Sequence, residues 1–230
     1  MKKKVLVISL GGSLIVPNKM DLNFLHNFRK TLKKHYKTHK FVVICGGGAI
    51  ARKYILVLRK QDKPKKQLSL AGIRATRMNA KFVMQLFGKE ANDTLPITMI
   101  DIKNNLPKNN VVISGALRYD HAATSDTTAA KLAKFLNTSF INMTNTKGFY
   151  SANPKTHKNA KFIPNITWKN FHAITSKMKF KAGQNFVLDQ HSARIIKKHK
   201  IPTYIIEGNN LADLENIIKG KKFTGTLIAN

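Results

Sequence analysis

Two glycine corners and two isolated carboxylates are the features of this 230-residue chain best suited to chemistry. The run Gly46-Gly47-Gly48-Ala49-Ile50-Ala51-Arg52 follows an apolar stretch at 41–45, and Gly11-Gly12-Ser13 follows another at 5–10. A buried strand that empties into glycines at the head of a helix offers bare backbone N–H groups to an anion. No Cβ obstructs the approach, and the positive end of a helix dipole stands behind it. Two such corners predict one multiply phosphorylated ligand, or two, along the carboxyl edge of an open α/β sheet. Neither corner is a Walker A loop or a dinucleotide fingerprint. Tight strand–helix turns also use glycine for structure alone, but the placement of both clusters at strand ends favours phosphate.

The carboxylates are Asp126 and Asp189. Thr124-Ser125-Asp126-Thr127-Thr128 opens a helical run and reads first as an N-cap, while its hydroxyls and free N–H groups also suit a phosphate. An acid there can orient a cationic group. Asp189, after Lys181-Ala182-Gly183-Gln184 and Val187-Leu188, reads as a plain cap for the helix carrying Arg194. Thr144-Asn145-Thr146-Lys147-Gly148-Phe149-Tyr150-Ser151-Ala152-Asn153-Pro154 follows a strand and has two readings of equal weight. It is either a purine slot or a decorated hairpin whose tyrosine merely packs. The eight histidines show no metal-ligand spacing with acids, so no protein metal site is expected.

Composition frames these motifs. Lys and Arg number 41 against 11 Asp and Glu, a formal charge of +30, which makes a carboxylate inside a motif weigh more than usual. The lysines are scattered as pairs such as Lys33-Lys34 and Lys221-Lys222, without an Arg-rich stripe interleaved with aromatics. That distribution predicts solvated faces and non-specific attraction of nucleic acid, not sequence reading. Cys45 is the sole cysteine, so no intrachain disulfide can form, and beside a glycine loop it reads as an inert apolar residue. No apolar run reaches a membrane span, and the first apolar stretch is too short for a secretory signal, so a cytoplasmic address is expected.

Around these residues the pattern alternates strand and helix. Strands are predicted near 4–10, 40–45, 96–101, 111–114, 139–143, 202–207 and 224–228, with a hairpin at 148–163. Helices are predicted near 21–37, 49–61, 68–89, 125–137, 168–175, 188–199 and 210–219. The fold class is α/β: an open, mostly parallel sheet between helices, three layers in all, in one domain over 1–230.

Taken in order, these segments resemble the amino acid kinase family, and most closely its archaeal-type UMP kinases. Gly11-Gly12-Ser13-Leu14, Gly46-Gly47-Gly48 with Ala51-Arg52-Lys53-Tyr54, Thr76-Arg77-Met78-Asn79-Ala80, Ser125-Asp126, Thr144-Asn145 with Tyr150 and Asn153-Pro154, Val187-Leu188-Asp189 and Gly225-Thr226-Leu227-Ile228 carry the likeness. It implies transfer of the ATP γ-phosphoryl group to UMP with Mg²⁺, in a homohexamer. It implies an acceptor-binding part over about 1–137 and an ATP-binding part over about 138–230. ATP would lie on Ser9, Leu10, Gly11, Gly12, Ser13, Gly48, Arg52, Thr144, Asn145, Tyr150 and Asn153. UMP would lie on Gly47, Ser69, Arg77, Ala123, Thr124 and Ser125. Asp126, Arg52 and Gly12 would form the catalytic set, with Lys181, Lys53 and Arg77 as unranked candidates for the γ-phosphate. Ser9 stands where bacterial relatives carry lysine and archaeal ones an acid. Ser69 replaces a common aspartate, the 114–123 loop is longer and poorer in glycine, and Lys147 and Asn153 replace acids. Two alternatives remain: a sibling kinase for another small phosphate such as isopentenyl phosphate, and a non-catalytic nucleotide- or RNA-binding member of the fold.

Overall fold

The computed structural model describes residues 3–17, 20–119, 124–154, 156–177 and 187–230. The strands are β1 (Lys4–Leu10), β2 (His39–Cys45), β3 (Val111–Ser114), β4 (Phe140–Thr144), β5 (Phe149–Tyr150), β6 (Phe162–Ile163), β7 (Asn165–Thr167), β8 (Thr203–Glu207) and β9 (Thr226–Ala229). The α-helices are α1 (Gly12–Ile15), α2 (Leu22–Lys33), α3 (Gly48–Lys60), α4 (Lys65–Phe87), α5 (Met99–Asn105), α6 (Ser125–Phe135), α7 (Trp168–Lys177), α8 (Gln190–His199) and α9 (Leu211–Ile218).

Seven strands share one sheet in the order β3-β2-β1-β4-β8-β9-β7, parallel except where β9 runs against β8. Strands β5 and β6 form a separate antiparallel hairpin. Alternation along the central strands assigns the two faces. Ile8, Leu10, Phe41, Val43 and Cys45 face one core layer, with Phe24, Phe28, Val83, Phe87 and Leu214 from the helices. Val7, Val42, Ile44 and Phe140 face the other, with Leu132, Phe171, Ala193 and Ile196. Helices thus cover both sides of the sheet, as the near-continuous apolar runs of β1 and β2 require.

Register decides where the chemistry falls. Leu10 lies opposite Cys45 on one side and Met143 on the other. The three strands end at one level, so Gly11, Gly46 and Thr144 leave the carboxyl edge as neighbours.

The segment at 96–101 is not the strand its apolar run suggests. Thr98 caps α5 by accepting from Asp101 N at 3.1 Å, and Asp101 accepts from Thr98 N at 2.8 Å. This reciprocal box starts a helix inside the apolar run. Two short elements have no counterpart in the sequence reading: the single turn α1 and the edge strand β7. Helix α2 stops at Lys33, and the chain continues in turns to β2.

Candidate active site

The two glycine corners touch through their backbones. A Cβ on Gly12 would stand 2.0 Å from Gly48 N and 2.7 Å from Gly46 C, so nothing larger than glycine fits without parting the corners. Gly48 also has φ +61°, and a Cβ there would lie 2.4 Å from Gly12 O. Hydrogen bonds lock the arrangement: Gly46 N donates to Leu10 O at 2.9 Å, Gly11 N to Met143 O at 3.1 Å, and Asn79 Nδ2 to Gly46 O at 2.7 Å. Helix α3 begins at this contact with Gly47 as its cap, without a side-chain cap and without an acid in its first turn. Its leading N–H groups have no intrahelical acceptor and point where an anion would sit.

The acid beside the corners is Asp126. Ser9, on the β1 face opposite Ile8, is buried and donates to Asp126 Oδ1 at 2.7 Å. Thr124 caps α6 by accepting from Thr127 N at 3.1 Å, and its hydroxyl donates to Asp189 Oδ2 at 2.5 Å. Thr127 Oγ1 donates to the same carboxylate at 3.1 Å. Asp189 Oδ1 also accepts from His191 N and Ser192 N, both at 2.8 Å. One carboxylate therefore caps α8 and clasps the start of α6. Although Asp126 keeps some accessible surface, its carboxyl is hemmed in by protein. Burial first, then the Asp189 charge, push its pKa up to about 7, against the opposing pull of the Ser9 hydroxyl. A group so poised takes up or gives up charge as its surroundings gain a cation or an anion.

Two arginines have different lives. Arg52 is half-buried on the first turns of α3, and its side chain makes no hydrogen bond or ion pair among the described residues. Arg77 on α4 is engaged: Nε donates to Ala116 O at 3.0 Å and Nη2 to Leu117 O at 2.8 Å. Thr76 Oγ1 accepts from Ala116 N at 2.9 Å, and Gly115 packs against the α4 backbone at Thr76 and Arg77. Helix α4 thereby pins the loop after β3, with Arg77 as the clamp. Ser69 lies half-buried on the same helix and Lys53 is exposed on α3. Ala123, Lys181 and the Lys181-Ala182-Gly183-Gln184 segment lie outside the described residues.

The remaining candidates stand on the far side of Asp126. Thr144 ends β4, and its carbonyl accepts from Gly208 N at 2.7 Å. Asn145 is exposed, while Tyr150 is half-buried and tilted against Phe162 with ring centroids 5.5 Å apart. Asn153 O accepts from His157 N at 2.9 Å and closes the hairpin's own turn. Phe149 N donates to Thr226 Oγ1 at 2.8 Å, which ties the hairpin to the start of β9. Since β9 runs antiparallel, that start is at the carboxyl edge. The edge therefore carries, in order, the α4-pinned loop, the paired glycine corners with Ser13 and Arg52, the α6 start with Thr124, Ser125 and Asp126, and the hairpin. The sequence marks Asp189 only as a cap of its own helix and Thr127 only as part of the α6 start; their contact is not readable from spacing, because a residue that caps its own helix gives no sign of a second partner.

A model of the amino acid kinase family matches residues 4–207. The chain belongs to the amino acid kinase family. Among its relatives in that family, a uridylate kinase of Archaeoglobus fulgidus is 34% identical over 97% of this chain and 99% of its own. A uridylate kinase of Thermoplasma acidophilum is also 34% identical, over 97% and 96%. A crystal structure of the Archaeoglobus fulgidus uridylate kinase superposes with a TM-score of 0.84, at 32% identity and 97% and 99% coverage. The UMP kinase of Ureaplasma parvum, at 18% identity and a TM-score of 0.77, shares the fold. Its three-layer arrangement is thus that of the amino acid kinase family. Among the described residues no three His, Cys, Asp or Glu side chains gather as a metal site, and no helix is long and apolar enough to cross a membrane.

Proposed function

We propose that this member of the amino acid kinase family transfers the γ-phosphoryl group of ATP to UMP, giving UDP and ADP. The observation that carries the proposal is the backbone contact between the Gly11–Gly12 and Gly46–Gly48 corners, in a chain whose full-length relatives are uridylate kinases. Corners that touch can hold donor and acceptor phosphates within reach of each other. Phosphoryl transfer asks for little more than such positioning and the neutralisation of charge. The attacking oxygen belongs to a phosphate that is already anionic, so no base must remove a proton.

In this reading Ser9, Leu10, Gly11, Gly12, Ser13 and Gly48 cradle the ATP phosphates through backbone N–H groups and hydroxyls. Arg52 supplies the mobile positive charge that follows the transferring group. UMP occupies the acceptor side, on Gly47, Ser69, Thr124, Ser125 and the loop that Arg77 clamps. The adenosine end reaches towards Thr144, Asn145, Tyr150 and Asn153. Asp126 orients cationic groups as charge moves. Mg²⁺ enters as part of the MgATP substrate, held by phosphate oxygens. The Thr124 and Thr127 hydroxyls and the His191 and Ser192 amides hold the Asp189 carboxylate, whose part in this reading is to tie α6 to α8. The proposal extends to a cytoplasmic homohexamer acting in pyrimidine nucleotide synthesis. Exposed Tyr54, Leu56 and Val57 on α3 supply apolar surface for association, which light scattering would measure.

The test is a panel of acceptors, UMP, CMP, AMP and isopentenyl phosphate, with γ-labelled ATP. Label appearing in UDP, and depending on Arg52 and Asp126, supports the proposal. Label in another acceptor would move the assignment to a sibling kinase. Nucleotide binding without ADP release in the presence of UMP would make the protein a binding module.

A further inference from the structure

At the opposite edge of the sheet the amino ends of β1, β4 and β8 floor an open groove of about 690 Å³. It lies roughly 20 Å from Gly11, the length of β1. Lys3, Lys4, Lys134, Lys200 and His199 line it, and among the described residues no acid does. The carboxyl ends of α6 and α8 both arrive here, each worth roughly half a negative charge. Four lysines against those two ends leave the groove at roughly +3. At the ends of α2 and α9 this acid-poor chain pairs its lysines with glutamates. Lys33 pairs with Glu90 at 3.1 Å, and Lys34 and Lys219 pair with Glu215 at 3.1 and 2.5 Å. Among the described residues Lys4, Lys134 and Lys200 have no such partner. The mutual repulsion reaches His199, whose pKa is lowered by what desolvation it suffers and by Lys134 and Lys198.

Backbone conformation adds a second observation. Lys200 caps α8 in the left-handed region, φ 49° and ψ 47°, where glycine or asparagine is favoured. A lysine side chain is held over the groove at a conformational cost that glycine would remove. Asn137, also at φ 49°, ends the α6 side in the same way.

We propose that this groove is a second anion site, separate from the catalytic edge, that takes the polyphosphate chain of a small molecule. Three adjacent strand ends span roughly 10 Å, room for a triphosphate laid across them. Among the described residues no Phe, Tyr or Trp lines the groove. Bases would have no ring to stack on, which disfavours single-stranded RNA. The ligand is recognised by its phosphates, whether they belong to a nucleoside triphosphate or to inorganic polyphosphate.

A reporter is built in. Trp168 is the only tryptophan, and its indole N–H donates to Ile201 O in the groove wall at 3.0 Å. Inorganic triphosphate titrated into the full chain at low salt is expected to change Trp168 emission. The double variant Lys134→Gln/Lys200→Gly is expected to weaken that response about tenfold, two surface ion pairs at ~0.7 kcal/mol each. Its UDP formation should be unchanged, and Lys200→Gly removes backbone strain, so the variant folds. The response should survive in Arg52→Ala, where the catalytic edge is impaired. A tenfold preference for CTP or GTP over inorganic triphosphate, lost in the double variant, would assign the groove to nucleotides, and equal affinity would assign it to phosphate chains alone. Three results overturn the proposal: no emission change at millimolar triphosphate, a response lost in Arg52→Ala but kept in the double variant, or tighter binding of an oligouridylate that displaces triphosphate.

Discussion

Replacing Gly12 by alanine tests the contact on which the catalytic edge is built. The new Cβ would stand 2.0 Å from Gly48 N, 2.6 Å from Gly48 Cα and 2.7 Å from Gly46 C. These are backbone atoms, so no side chain can rotate away. Carbon settles at about 3.5 Å from such neighbours, so the corners must part by roughly 1–1.5 Å. Overpacking of this kind costs about 1–3 kcal/mol. For a chain of 230 residues that is about 2–12 °C in Tm. The kinetic cost is expected to be larger, since displacing a reacting group by 1 Å lowers turnover about 10²-fold. The assay is UDP formation at saturating ATP and UMP, beside thermal melting. Gly72→Ala is the control: on α4 its Cβ meets only Ile55 Cδ1 at 3.5 Å, and the helix gains about 0.5–1 kcal/mol. Gly12→Ala with wild-type kcat and KM would refute the claim that the corners hold the two phosphates in register.

Four further outcomes are expected. Asp126→Asn should lose about 10²-fold or more in turnover, yet melt higher than the wild type at pH 8. The sign follows from the raised carboxyl: with a folded pKa of about 7, its contribution to stability is whole near pH 4 and is lost as pH rises through 7. An amide keeps the Ser9 hydrogen bond without the charge, so a lower Tm at pH 8 would contradict the burial argument. His35 and His39 act with the opposite sign. Burial holds both imidazoles below their usual value, and Lys219 and Lys34 around His35, with His35 and Lys4 around His39, add to the effect against the opposing charge of Glu215. Their contribution is whole above about pH 6.5 and is lost as pH falls, so His35→Phe should flatten the acid side of a Tm-against-pH curve. Arg77→Ala removes two hydrogen bonds that hold the loop at Ala116 and Leu117, and should raise the KM for UMP about tenfold while the KM for ATP stays within about twofold. Arg52→Ala should lower kcat by about 10²-fold or more with Tm unchanged, because the Arg52 side chain bonds to nothing among the described residues; a marked loss of Tm would make it structural.

Much of the architecture was legible because β1 and β2 are buried on both faces and read as uninterrupted apolar runs ending in glycine. Helix α4 was legible through the spacing of Ala71, Ala75, Asn79 and Val83, all buried. Failures came where a local device overrode hydrophobic pattern. Thr98 and Asp101 start a helix inside an apolar run, and three residues suffice for β7 once β9 is beside it. Within the site, chain order showed where each corner lies but not that Gly12 and Gly48 are in contact, which depends on the register of β1 and β2. The double duty of Asp189 was hidden for the same reason: its cap at His191 and Ser192 is local, whereas Thr124 and Thr127 lie more than sixty residues away. Nothing in the spacing of Arg77 shows that its guanidinium also holds the loop at Ala116 and Leu117, a contact that depends on where β3 ends beside α4.

The most direct measurement is a crystal structure of the protein with UMP and a non-hydrolysable ATP analogue bound together. Expected is the analogue's γ-phosphate on the amides of Gly12 and Gly48, facing the UMP phosphate on the Gly47 side with an oxygen in line for attack. Phosphates lying away from both corners, or donor and acceptor held apart with protein between them, would contradict it.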